Sequence, residues 1–149
     1  MEKKLYIVRC GEVALKGMNK PYFERILIER LRGALSCFED AEAKWIDGLM
    51  FVRVPADIPE DEVIAKCVRV FGVASVSPAV EAPKDINAIG RTAAVYMQKV
   101  IEEDGVKTFK VKAHRADKSF AVESPDIARQ VGGMVLKANQ GLCVYVHSP

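Results

Sequence analysis

Residues 43–54 read AKWIDGLMFVRV, two β-rich runs, Ala43–Asp47 and Leu49–Val54, meeting at the dipeptide Asp47-Gly48. An Asp-Gly pair suits the positive-φ turns whose twist matches that of paired strands, so this stretch predicts an antiparallel hairpin. The flanking patterns say what the hairpin belongs to. Upstream, Leu5–Cys10 (LYIVRC) is a further β-rich run ending at Gly11, with Val13 and Leu15 extending the pattern toward Gly17. From Pro21 the period changes. Phe23, Ile26, Leu27, Leu31 and Leu35 recur at helical spacing with Glu24, Arg25, Glu29, Arg30 and Arg32 between them. Asn19 or Lys20 starts this helix, and Pro21 falls in its first turn, where a missing N–H costs nothing.

Downstream, Pro59 opens a second helix with Glu60, Asp61 and Glu62 at its positive end. Val63, Ile64, Cys67, Val68 and Phe71 form its expected buried stripe, and Gly72 ends it. Val73–Ser77 reads as a last strand stopped by Pro78. The order over residues 1–80 is βαββαβ, a ferredoxin-like unit.

A polar joint, Glu81–Asp85 (EAPKD), leads into a second region over 81–149. A helix is expected from Asp85 or Ile86 to about Glu103, with Ile89, Ala93, Met97, Val100 and Ile101 along one side and Gly105 at its end. Next comes TFKVKAHRADKSF, residues 108–120. Alternation places Phe109, Val111 and Ala113 on one face of a strand and Lys110, Lys112 and His114 on the other. Ser124-Pro125-Asp126 then starts a helix whose apolar side is Ile127, Val131, Met134 and Val135. Gly132-Gly133 inside that helix costs roughly 1 kcal/mol per glycine relative to alanine, which points to close packing or a backbone approached by a ligand. Leu142–His147 is a final strand. The class expected is α+β, a ferredoxin-like domain followed by a smaller α/β domain.

Whole-chain charge is uninformative, with 22 basic against 20 acidic residues. Its distribution is useful, because Lys107, Lys110, Lys112, Arg115 and Lys118 stand against the single acid Asp117 within residues 107–118. A dense cation row near a helix start, whose free N–H groups also attract anions, is what a phosphate-binding ridge requires. Arg129 and Lys137 on the following helix extend it. The rival reading is a solvated sheet face on a protein-interaction or regulatory module. Stacking on aromatic rings is not expected, since Phe109 and Phe120 read as core residues.

Catalysis within the chain is not expected. Gly11–Met18 (GEVALKGM) has five residues between its glycines where a Walker loop has four, and methionine where that loop has lysine. Dinucleotide-binding, nucleophile-elbow and Ser-Gly-Gly-x-Asp-Ser adenylation motifs are missing. Cys10, Cys37, Cys67 and Cys143 form no Cys-x-x-Cys pair, so no zinc site is expected, and reduced, mostly buried thiols suit a soluble cytoplasmic protein. Neither a signal peptide nor a membrane-length apolar run is present in this sequence.

Three stretches resemble one family. Gly11–Leu35 (GEVALKGMNKPYFERILIERLRGAL) is similar to the opening motif of the tRNA sulfurtransferases, the 4-thiouridine synthetases also linked to thiamine biosynthesis. Phe109–Gly133 (FKVKAHRADKSFAVESPDIARQVGG) resembles the signature of their THUMP domain, and Val70–Pro78 matches as well. The resemblance implies that the ferredoxin-like and THUMP domains jointly hold tRNA at its acceptor end. It implies a following ATP-dependent domain that adenylates uridine 8, which then receives sulfur from a persulfide donor protein. By position it implies Lys110, Lys112, Arg115 and Lys118 as RNA contacts, with Lys16 and Lys20 as weaker ones. His114 stands where the family often has a further cation, and Ala121 where proline commonly follows the phenylalanine. The family's chain continues past residue 149 with more THUMP strands and the ATP-binding domain. The sequence is therefore expected to bind tRNA without a cofactor of its own and without catalysing, and an unpaired THUMP sheet edge would favour a homodimer.

Overall fold

The computed structural model describes residues 2–11, 20–46, 48–115 and 118–144. The chain divides into two compact units, Met1–Val80 and Glu81–Pro149. In the first, strands β1 (Lys3–Cys10), β2 (Glu42–Ile46), β3 (Leu49–Pro55) and β4 (Val73–Ala79) form one sheet in the order β2-β3-β1-β4. Helices α1 (Lys20–Ala34) and α2 (Glu60–Val68) complete the βαββαβ order. All neighbouring strands are antiparallel, with Val8 opposite Met50 and Tyr6 opposite Val52.

Strand alternation creates the core. Tyr6 and Val8 of β1, Ala43 of β2 and Met50, Val52 and Val54 of β3 share a buried cluster with Leu27, Ile28, Leu31 and Leu35 from α1 and its end, and Val63 and Cys67 from α2. Two hydrogen-bond ties join α1 to the edge strand β2. The Trp45 indole donates to the Glu24 carbonyl at 2.9 Å, and the Arg32 guanidinium donates twice to the Ala43 carbonyl, at 3.1 and 2.8 Å. The hairpin turn keeps Gly48 at φ 81°; Asp47 lies outside the described residues, as do Val13 and Leu15.

Three expectations for this unit need correction. Phe71 is 81% exposed and Val68 half exposed, while Val70 is buried. Helical spacing assigns a side chain to a face only while the helix lasts, and α2 ends at Val68 with its cap at Arg69. Pro78 does not stop β4, which continues to Ala79 with Pro78 opposite Tyr6. Because β4 is an edge strand, proline can sit in it without breaking the ladder. Phe23 is not a core residue either, being 44% exposed beside Tyr22.

The second unit is a helix pair with a minimal ladder. Helix α3 (Ile86–Asp104) is capped by the Asp85 carboxylate, which accepts from the Ala88 N–H at 3.0 Å, and is ended by Gly105 at φ 64°. Helix α4 (Ser124–Ala138) packs on it. Glu123, not Ser124, is its cap residue, and the Glu123 side chain makes no capping hydrogen bond. Val131, Val135 and Leu142 are the buried centre, with Ile89, Ala93, Met97 and Ile101 of α3 against them. Asn139, itself buried, donates to the carbonyls of Ala94 and Val135, both at 3.2 Å. Close packing is not at Gly132-Gly133. A Cβ on Gly133 would meet open space and one on Gly132 only ordinary contact, whereas a Cβ on Gly90 of α3 would fall 1.8 Å from Met134 Sδ.

Strands β5 (Thr108–Phe109) and β6 (Cys143–Val144) are parallel and pair over two positions, Thr108 with Cys143 and Phe109 with Val144. The strands expected over residues 109–113 and 142–147 are thus shorter among the described residues, and 145–149 lie outside them. The cysteines also depart from expectation. Cys67 is buried and Cys10 half-buried, but Cys37 and Cys143 are exposed; all four are free. Among the described residues no helix is long and apolar enough to cross a membrane.

Candidate nucleic-acid interface

The candidate site is built on the segment leaving α3. Gly105 turns the chain, and the Lys107 carbonyl accepts from the Cys143 N–H at 3.0 Å, which docks the segment beside β6. Beyond Phe109 no further strand pairing occurs among the described residues, yet exposure still alternates residue by residue: Phe109, Val111 and Ala113 are half-buried, Lys110, Lys112 and His114 exposed. The apolar row has a definite partner. Phe109 and Val111 pack on the Val131–Val135 cluster, and Val111 Cγ2 lies over Gly132. Burying that row obliges the intervening ammonium groups to face solvent, where phosphate can reach them.

Arg115 behaves differently. It is half-buried, and its Nη1 donates to the Phe120 carbonyl at 2.8 Å; residues 116 and 117 lie outside the described residues. Its charge therefore supports the loop that presents exposed Lys118. Arg129 is exposed and pairs with Asp126 at 3.3 Å, and an exposed pair of this kind is held too weakly to withdraw the guanidinium from a ligand. Lys137 is exposed in the last turn of α4, about 12 Å along the axis from Arg129 at ~1.5 Å per residue, so the two do not form one patch. Lys20 is exposed as the first residue of α1, in the other unit, and Lys16 lies outside the described residues.

The cation pattern assigns Arg115 to the ridge and carries no sign of its hold on Phe120. The available signal was its position one residue beyond the alternating run, where a side chain no longer has a face assigned by the strand.

A shallow, open cavity of about 330 Å³ adjoins this loop, lined by Lys84, Asp85, Ile86, Ser119, Phe120, Ala121 and Val122. No group of three or more potential metal ligands occurs among the described residues. The arrangement can hold anions by charge.

Two family models match the chain: the ThiI ferredoxin-like domain over residues 5–77 and the THUMP domain over 83–149. The first unit belongs to the ThiI ferredoxin-like family and the second to the THUMP family. A probable tRNA sulfurtransferase of Alkaliphilus metalliredigens is 39% identical over 99% of the chain, and one of Moorella thermoacetica 36% identical over 96%. The chain spans 37% and 35% of their lengths and corresponds to their N-terminal, THUMP-containing region. Among solved structures, PH1313 of Pyrococcus horikoshii Ot3 is similar with a TM-score of 0.80 at 30% identity, covering 97% of this chain and 48% of that one. A 4-thiouridine synthetase in complex with RNA and bound ATP has a TM-score of 0.77 at 26% identity, covering 99% and 36%.

Proposed function

We propose that the chain is the tRNA-holding part of a 4-thiouridine synthetase, gripping tRNA through the cation row of its THUMP domain. The observation that carries this reading is the alternation at residues 109–114: the apolar row is committed to α4, and Lys110, Lys112 and His114 are left in solvent. Its kinship to an enzyme solved with RNA supports the same assignment. Lys118 and Arg129 extend the row, Lys137 is a separate contact further along α4, and Lys16 and Lys20 of the ferredoxin-like unit are weaker contacts. Arg115 serves chiefly by holding the loop.

ATP, uridine activation and a persulfide-carrying donor protein belong, in this reading, to the remainder of the parent protein. Pairing of two copies through the β5–β6 sheet is a further expectation, which light scattering at high concentration tests. The direct experiment is titration with unmodified tRNA at several salt concentrations. Affinity should fall steeply with salt, by roughly 0.9 log unit per log unit of salt for each duplex phosphate neutralised. Absence of binding at low salt would sink the reading and favour a protein-interaction module.

A further inference from the structure

We infer that Tyr22 and Phe23 form a stacking platform for an unpaired RNA base on the ferredoxin-like unit, an inference that rests on the tRNA-binding reading. Helical spacing puts Phe23 on the same side as Leu27, yet Phe23 is 44% exposed and Tyr22 50%. The two rings are held edge to face, 5.9 Å apart at 71°, and the Arg25 guanidinium lies 5.6 Å from the centre of the Tyr22 ring. The turn that carries them is anchored, because the Trp45 indole of β2 bonds to the carbonyl of Glu24. Rings on a fixed helix turn lose little freedom when a ligand stacks on them.

The surroundings select the ligand. The first turn of α1 contains Lys20 and no acidic residue, and the positive end of the helix macrodipole lies there. A nucleobase offers a flat apolar face attached to an anionic backbone, which matches two aromatic rings beside Lys20 and Arg25. An apolar protein surface would have to desolvate those cations. Stacking of this kind tolerates any base and is worth roughly 5- to 150-fold in affinity per base.

The test uses the whole chain, with fluorescence anisotropy on a short single-stranded oligouridylate and on a blunt-ended RNA duplex. Replacing both Tyr22→Ala and Phe23→Ala should weaken single-strand binding roughly tenfold or more and leave duplex binding within about twofold, while Tyr22→Phe should keep both. Trp45 emission reports that each variant is folded. Equal loss on both probes, or no loss on either, overturns the platform, as does light scattering in which the double variant abolishes self-association of the parent chain. If the unmodified chain binds tRNA and the double variant keeps its single-strand affinity, the platform alone falls; if the unmodified chain binds no RNA, the tRNA reading falls with it.

Discussion

The two units are stabilised by different means. The first spreads its core under a four-stranded ladder, with strands of five to eight residues and both helices pressed on one face. Among the described residues the second has a two-position ladder, with the contact of α3 and α4, a buried centre of Val131, Val135 and Leu142, and the Asn139 bonds. The cation row belongs to the second kind of construction. A segment held by one apolar row on a helix can present its other row freely.

The largest predicted effect breaks the first unit. Leu31 is fully buried, so Leu31→Ala should cost about 2–5 kcal/mol, read from denaturant unfolding by Trp45, the single tryptophan. A cost below about 1 kcal/mol would mean that the sheet does not depend on α1 as described. Next comes a pH effect in the same core. Burial pushes the Cys67 thiol up to about 11, and burial raises Tyr6 as well. The unfolded thiol ionises near 9 while the folded one keeps its proton, so this contribution is intact below about pH 9 and is lost between about 9 and 11. The Trp45-detected midpoint should fall across that window, and Cys67→Ala should flatten the fall. Steepness unchanged in that variant would assign the loss to other groups.

The smallest effect concerns the second unit and differs between two helical glycines. Gly133→Ala fills open space and should add about 0.5–1 kcal/mol, measured by hydrogen exchange of α4 amides. Gly90→Ala must displace Met134 and should lose that gain or reverse it. Equal stabilisation by both would contradict the α3–α4 packing.

Much of the first unit is legible from its sequence, because the Asp47-Gly48 pair and strict alternation in β3 specify a hairpin with one buried face. The failures at Phe71 and Phe23 share a cause: periodicity places a side chain on a face but cannot say where the helix ends or how far the sheet beneath it extends. In the second unit the exposed row at Lys110, Lys112 and His114 agrees with alternation even past the ladder, since Phe109 and Val111 have α4 to pack on. The Arg115 bond to the Phe120 carbonyl is not legible, as it depends on how a loop closes. Nor is the exposure of Cys37 and Cys143, where an apolar residue type was taken for an apolar place.

The tRNA-holding role proposed above falls on the solvent-facing row of the THUMP segment. Its most direct test is the tRNA affinity of the Lys110→Ala, Lys112→Ala double variant as a function of salt, beside a Lys66→Ala control on α2, which is also exposed. Binding by the double variant should be weaker, with a salt slope shallower by about 1.8 if each lysine neutralises one duplex phosphate, and the control unchanged. Affinity and slope equal to those of the parent chain would contradict it.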